Sequence, residues 1–189
     1  MMKPIDSLMQ RIDAGELTRD DKQIAIMQRL QSLQDRLLKQ QQPSLLNKIG
    51  LSKPKPVKGI YLWGHVGTGK SYIIDLFFEC LPLKNKLRIH FHAFMKRVHM
   101  ELKELQGHKD PLQKLGKKIA SETCLLCFDE FFVSDIADAM LLGGLFTALF
   151  DNGVCLVTNS NCAPDELYKD GMLRERFLPA IEAIKANTE

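Results

Sequence analysis

The sequence has few of the features that direct a chain into membranes or out of the cell. No apolar run approaches the roughly 18 residues of a transmembrane helix. The start of the chain, MMKPID, lacks the hydrophobic core of a signal peptide, and its acidic residue fits a transit peptide poorly. We therefore expect a cytoplasmic protein, or a mitochondrial one if the source is eukaryotic. We expect no transmembrane segment and leave peripheral membrane contact open.

Charge of one sign and a disulfide framework are also lacking. The 26 basic and 23 acidic residues leave a formal net charge of only +3, too small to indicate nucleic acid as the main partner. The five cysteines show no pairing pattern, which predicts free thiols in a reducing compartment. Cys124 and Cys127 resemble half of a zinc site. Inside a strand, however, residues three apart point to opposite faces, so we interpret them as core thiols.

The chain does have the length and composition of one α/β domain. Its 189 residues can enclose a core, and 45% hydrophobic with 26% charged residues argues against wholesale disorder. An amphipathic helix, capped by Thr18 or Asp20, is predicted over residues 17–39 because apolar residues recur every three or four positions. Prolines and lysines then indicate a linker. We predict an N-terminal helical extension (1–42), a linker (43–58) and an α/β domain (59–189).

Strands and helices alternate in the α/β domain. Short apolar runs predict strands at 59–63, 87–92, 124–128 and 154–158. Helices are predicted at 71–80, 93–106, 111–122 and 135–150, and a last helical stretch begins at 163. This alternation predicts a parallel sheet joined by right-handed crossovers.

A glycine-rich segment follows the first strand and opens the first helix of this domain. Residues 64–71, GHVGTGKS, match the phosphate-loop pattern G-x-x-x-x-G-K-[ST] at every fixed position. Glycines let successive N–H groups point inward at phosphate, and the helix start adds partial positive charge. The predicted nucleotide-binding residues are Gly64, His65, Val66, Gly67, Thr68, Gly69, Lys70 and Ser71. We expect a solvent-facing Lys70 to bridge the β- and γ-phosphates and Ser71 to ligate Mg²⁺.

Two carboxylates end the third strand, at the sheet edge where open α/β sheets bind ligands. We expect Asp129 to hold Mg²⁺, usually through water, and Glu130 to polarise the attacking water. Asn161 follows the fourth strand, where a polar side chain can orient that water. Asn159 and Ser160 compete for this role. On the final helical stretch, Arg174 and Arg176 are either solvated or reach a neighbouring subunit's γ-phosphate.

These residues together resemble the AFG-type branch of the AAA+ ATPases, which includes a bacterial cell-division ATPase and mitochondrial relatives. The resemblance covers nearly the whole chain, and residues 128–136 are its most particular part. It implies a P-loop NTPase of the AAA+, ASCE type, a parallel three-layer α/β/α sandwich. The segments that carry it include GIYLWG (59–64), RIHFHAFM (88–95), LCFDEFFVSDI (126–136) and DELY (165–168).

The resemblance also implies residue roles. Lys70 and Ser71 are the Walker A pair, and Asp129 and Glu130 the Walker B pair. Asn161 is the first sensor. Arg174 matches the family's arginine finger, and Arg176 is less characteristic. His65 departs from the small residue expected in the loop.

The family implies Mg²⁺ and ATP as cofactors and a homo-oligomeric ring that remodels a protein client. That client is the division ring in bacteria or inner-membrane proteins in mitochondria. The family sheet runs 5-1-4-3-2 and continues into a helical lid, so we expect a domain incomplete at its C-terminus. It would have an unpaired strand edge, weak nucleotide affinity and poor turnover. The alternatives are a small P-loop kinase, a catalytically degenerate binding module, and a helicase loader or single-stranded DNA binder, which the charge does not support.

Overall fold

One parallel sheet of four strands organises the molecule. The computed structural model describes residues 3–41 and 56–189. The strands are β1 (Ile60–Trp63), β2 (Lys86–His90), β3 (Leu125–Asp129) and β4 (Cys155–Ser160), in the order β1-β4-β3-β2. The expected α/β class, the parallel pairing and the 1-4-3-2 part of the implied order are confirmed.

Helices cover both faces of the sheet. They are α1 (Pro4–Asp13), α2 (Asp21–Gln41), α3 (Lys70–Cys80), α4 (Phe91–Glu104), α5 (Pro111–Glu122), α6 (Ile136–Asp151) and α7 (Leu178–Asn187). Two short 3₁₀ turns, Pro164–Glu166 and Arg174–Arg176, precede α7. Side chains alternate along the strands, so Cys127 of β3 packs with the core beneath α1–α3, whereas Phe128 packs with the core beneath α4–α7. This is a three-layer α/β/α arrangement.

Several element boundaries differ from those predicted. Helix α1 was not predicted; of its large apolar side chains, Leu8 is buried. Helix α2 begins at Asp21, since the Asp20 carboxylate accepts a hydrogen bond from the N–H of Lys22 at 2.8 Å. Strand β2 ends at His90, two residues early, and α4 follows at once. Most of the predicted linker, residues 43–55, lies outside the described residues.

The N-terminal helices share a core with the sheet. Leu30 and Leu33 of α2 are fully buried in the same cluster as Ile73 and Phe77 of α3. On the exposed side, Arg36 forms an ion pair with Glu189 at 2.9 Å. The helices of the predicted extension therefore pack directly on the helix that carries the phosphate loop.

The free edge of β1 is partly paired, which corrects the expectation of an unpaired edge. The N–H of Gly59 donates to the carbonyl of Asn187 at 2.8 Å, and the N–H of Tyr61 donates to the carbonyl of Glu189 at 2.9 Å. Glu189 in turn donates to the carbonyl of Gly59 at 3.0 Å. Residues 187–189 therefore begin a parallel neighbour for β1, in the position implied for a fifth strand.

The shared core predicts that truncating α2 destabilises the whole molecule. Leu30→Ala removes a side chain with 0% exposure and should lower the free energy of unfolding by about 2–5 kcal/mol. Urea denaturation followed by circular dichroism measures this change. Ser32→Ala, at an exposed position of the same helix, should change stability by less than about 0.5 kcal/mol. Two unfolding transitions, of which Leu30→Ala shifts only the first to lower urea concentration, would show that the N-terminal helices unfold separately from the rest of the molecule.

Candidate functional site

The phosphate loop connects β1 to α3 and depends on left-handed glycines. Gly67 and Gly69 have φ angles of 84° and 79°, in the region that favours glycine over residues with a side chain. A Cβ at Gly69 would also lie 2.6 Å from Nε2 of Gln23. That amide of α2 donates to the carbonyl of Thr68 at 3.3 Å. Gln23 of α2 therefore holds the last turn of the phosphate loop, directly before α3 begins.

Lys70 folds back over the loop, which corrects the expectation of a solvent-facing side chain. Its Nζ donates to the carbonyl oxygens of Gly64 at 2.6 Å and His65 at 2.8 Å. Partial burial lowers the pKa of the Lys70 ammonium group. Asn161 Oδ1 lies 3.5 Å from the same nitrogen. The ammonium group is thus placed over the cradle by carbonyls that it can exchange for phosphate oxygens.

Asn159 links the loop to the acidic pair. Its Nδ2 donates to Ser71 Oγ at 3.3 Å and to Asp129 Oδ1 at 3.1 Å. The hydroxyl and the carboxylate therefore lie on either side of one buried amide. These are hard oxygen donors, and Mg²⁺ in nucleotide enzymes takes one or two such protein oxygens together with phosphate oxygens. Ser71 and Asp129 thus fit a magnesium ion.

Glu130 occupies a strained turn directly after β3. Its φ is 54°, a conformation uncommon for residues other than glycine. The side-chain oxygen of Asn159 accepts a hydrogen bond from the Glu130 N–H at 2.9 Å, which stabilises this backbone. The exposed Glu130 lines a cavity together with the loop, whereas Asp129 is buried.

One cavity contains the loop and most of the predicted site. It measures about 350 Å³ and is lined by Val66, Gly67, Thr68, Gly69, Lys70, Ser71, Tyr72, Glu130, Asn159 and Asn161. Both candidate asparagines reach it. Asn161 is exposed beside Lys70, whereas Asn159 is buried among the acidic residues. Asn159 therefore links the loop to the acidic residues, and Asn161 lines the open side of the cavity.

A second cavity lies on the other side of the loop. It measures about 420 Å³, between the start of α2 and the end of β1. Ile26, Leu62, Trp63 and Ile73 give it apolar walls, and Gln23 and the loop backbone give it polar groups. Lys70 lines both cavities. An elongated ligand could therefore lie on both sides of the loop.

The two candidate arginines lie away from the loop cavity. Arg174 donates from Nη2 to the carbonyl of Asp165 at 2.6 Å, and Arg176 is exposed on the same 3₁₀ turn. Neither lines the cavity of its own chain. The preceding residue, Leu173, has a φ of 56° and exposes its side chain. The structure therefore does not bring these arginines to the phosphate loop.

Sequence reasoning missed Arg88. This residue of β2 forms a two-bond contact with Asp129, and its guanidinium group also pairs with Asp75 of α3. The available signal was a charged residue inside a strand, between the apolar Leu87 and Ile89. A buried charge of this kind needs a charged partner.

The cysteines and histidines form no centre of their own. Within residues 3–41 and 56–189, no group of three or more His, Cys, Asp or Glu side chains is arranged to hold a metal ion. Burial raises the pKa of the Cys127 thiol, and raises that of Cys155 to about 12, which keeps both protonated and unreactive.

Across the same described residues, no helix is long and apolar enough to span a bilayer.

The central position of Asn159 predicts that its loss destabilises the site. Asn159→Leu keeps the approximate shape but leaves the Glu130 N–H without its acceptor, which should cost about 1–3 kcal/mol of unfolding free energy. Chemical denaturation measures the loss. Asn161→Leu is the matched control, because its exposed amide makes only a 3.5 Å contact. It should leave stability within about 0.5 kcal/mol of the wild type. Equal losses in the two variants would contradict the role of Asn159.

The parallel sheet, the glycine loop at the end of its edge strand and the helix beginning at Lys70 define a P-loop NTPase fold. Comparison with known proteins makes the assignment more specific. The AFG1-like ATPase family model matches residues 2–189, so the chain belongs to that family.

Curated relatives and solved structures agree with this assignment. The chain is 46% identical over 198 residues to the cell division protein ZapE of Escherichia coli (strain K12), covering 98% of the chain and 53% of ZapE. It therefore spans about half the length of that relative. It is 45% identical over 145 residues to lactation elevated protein 1 homolog B of Danio rerio, covering 71% of the chain and 29% of that protein.

Two solved structures share the fold at low sequence identity. DnaI aligns with a TM-score of 0.61 at 16% identity, covering 93% of this chain and 87% of its own. AMPPCP-bound DnaA from Aquifex aeolicus aligns with a TM-score of 0.51 at 16% identity, covering 75% of this chain and 43% of the DnaA chain. These likenesses concern the fold alone.

Proposed function

We propose that this chain is the ATP-binding and ATP-hydrolysing portion of an AAA+ ATPase that uses Mg²⁺–ATP hydrolysis to remodel a protein partner. One observation carries the proposal: residues 66–71 of the phosphate loop and Glu130 line the same cavity of about 350 Å³. Binding of a triphosphate and activation of water need these two elements within reach of each other.

The predicted site residues have distinct tasks in this proposal. The loop N–H groups from His65 to Ser71 bind the phosphates, and Lys70 exchanges two carbonyl oxygens for phosphate oxygens. Ser71 and Asp129 hold Mg²⁺, which neutralises charge on the phosphates when bound. Glu130 accepts a proton from the attacking water, and Asn161 orients that water from the other side.

The second cavity suits the nucleoside. It begins at the same loop and has apolar walls from Ile26 and Trp63, together with polar groups from Gln23 and the loop backbone. A planar base needs such a site, with apolar faces and a few polar groups. We infer that the triphosphate lies over Lys70 while the base lies between α2 and β1.

A homo-oligomeric ring accounts for Arg174. The residue does not reach the cavity of its own chain, and the resemblance assigns it to the γ-phosphate of the neighbouring subunit. In that position the guanidinium group stabilises charge in the transition state. Arg176 is the less characteristic candidate for this role.

The client is proposed from the relatives. ZapE is named a cell division protein, and we propose that this chain likewise acts in the cytoplasm on a protein of the division ring. The net charge of +3 gives no support to a nucleic-acid partner. The fold shared with DnaI does not alter this, because the likeness does not extend to sequence.

The proposal is tested by following phosphate from ATP. The protein should release inorganic phosphate with Mg²⁺ present and stop when EDTA removes the ion. Added small-molecule acceptors should not become phosphorylated. Transfer to an acceptor would indicate a P-loop kinase, and ATP binding with phosphate release no faster than that of Lys70→Ala would indicate a binding module. Either outcome would overturn the proposed hydrolysis.

A further inference from the structure

Arg88 connects two strands and a helix through contacts with two carboxylates, Asp129 and Asp75. Its Nε donates to Asp129 Oδ2 at 2.8 Å and its Nη2 donates to Asp129 Oδ1 at 2.9 Å, a paired contact that fixes the plane of the carboxylate. The remaining nitrogen, Nη1, forms an ion pair with Asp75. Arg88 lies on β2, Asp129 on β3 and Asp75 on α3, the helix that begins at Lys70. The Arg88 side chain is only 18% exposed.

Few acceptor positions remain on Asp129 beside these contacts. An ionised carboxylate offers about four lone-pair positions. Arg88 takes two of them, and Asn159 Nδ2 takes another on Oδ1. About one position is left. A divalent ion that bound Asp129 directly would compete with the guanidinium group, whereas a water molecule on the ion can donate to the position that remains.

We propose that Arg88 is a positioning residue that holds Asp129 as a water-mediated ligand of Mg²⁺ and prevents Asp129 and Asp75 from binding a divalent ion by themselves. The inference rests on the proposed ATPase function and adds a control on how the ion enters the site. Without the guanidinium group, two carboxylates would lie close together with no cation between them. Such a pair attracts a divalent cation directly.

Thermal unfolding of the whole chain without nucleotide tests this control. In about 10 mM MgCl₂, Arg88→Met should gain about 3–5 °C in Tm, whereas the wild type should gain less than about 1 °C. Arg97→Met is the matched control, because Arg97 likewise bridges two carboxylates, Glu101 and Glu122, outside the site. It should lose stability without gaining a magnesium response, because Lys118 Nζ still pairs with Glu101 at 2.9 Å after Arg97 is removed. The same Tm gain in wild type, Arg88→Met and Arg97→Met would overturn the proposal.

Arg88→Lys keeps the charge and serves if Arg88→Met does not fold. A single ammonium group cannot span both carboxylate oxygens, so Mg²⁺ should raise the Tm by about 1–3 °C, between the two other values. A wild-type response in this variant would also overturn the proposal.

Turnover gives an independent readout. Arg88→Met should lower kcat for ATP by about 10–100-fold, Arg88→Lys should restore part of it, and the KM for ATP should stay within about threefold because the loop contacts remain. A rise in the KM for ATP by about 10–100-fold with unchanged kcat would contradict the positioning role. If the wild type neither binds nor hydrolyses ATP, the proposed function fails, but the magnesium response of Arg88→Met still decides the role of Arg88.

Discussion

Replacing Lys70 with alanine is expected to weaken ATP binding by about 100-fold and to slow hydrolysis at saturating ATP by a further 100–1,000-fold or so. A hydrogen bond to a charged group contributes about 1.5–3 kcal/mol. Lys70 should form two with phosphate oxygens, while it gives up its bonds to the carbonyls of Gly64 and His65. A net loss of about 2.7 kcal/mol corresponds to about 100-fold in Kd.

The loss at Lys70 should be specific to the nucleotide. Titration with a fluorescent ATP analogue gives the Kd, and phosphate release gives kcat. Lys117→Ala removes an exposed lysine from α5 and should change neither value by more than about twofold. The thermal stability of Lys70→Ala without nucleotide should stay close to that of the wild type, because only carbonyl contacts on the loop are lost. Unchanged ATP affinity in Lys70→Ala would exclude the proposed phosphate site.

Strands β3 and β4 were predictable because their residues are buried on both faces. Residues 124–128 form a continuous apolar run, and β3 begins and ends within one residue of it. By contrast, α1 was missed although Ile5, Leu8, Met9 and Ile12 recur at helical spacing, and it packs against α2 and α3. The end of β2 was misjudged because Phe91 and Ala93 continue the apolar alternation, although the backbone turns into α4 at residue 91.

The site likewise has a part that the sequence predicts and a part that it does not. The loop and the acidic pair are local in sequence, and a fixed spacing of residue types predicts them. Asn159 and Arg88 act through contacts between residues 29–88 positions apart, which no local pattern contains. Register makes these contacts: His90 lies opposite Asp129, and Phe128 lies opposite Thr158. Arg88 lies opposite Cys127, two residue pairs before the pair that contains Asp129, so Arg88 and Asp129 lie on the same face of the sheet.

Exchanging Glu130 for glutamine is expected to lower kcat by about 100–10,000-fold and to leave the Kd for ATP within about threefold of the wild type. Glutamine keeps the size of the side chain and leaves the turn intact, because the hydrogen bond from the residue 130 N–H to Asn159 Oδ1 does not use the side chain of residue 130. It cannot accept a proton from water. Asp129, Ser71 and Lys70 remain to bind Mg²⁺ and the phosphates, so the variant should retain ATP without cleaving it.

Single-turnover measurements separate this effect at Glu130 from slow product release. Wild-type protein in excess over labelled ATP should convert the bound nucleotide to ADP, whereas Glu130→Gln should still hold intact ATP after the same interval. Glu104→Gln, at an exposed position near the end of α4, should behave as the wild type. If Glu130→Gln instead kept full kcat, water would have to be activated elsewhere. Asp129 is poorly suited to that task, since Arg88 and Asn159 already occupy most of its acceptor positions. The proposed assignment of metal binding to Asp129 and proton transfer to Glu130 therefore rests on the contrast between a buried carboxylate paired with Arg88 and an exposed one.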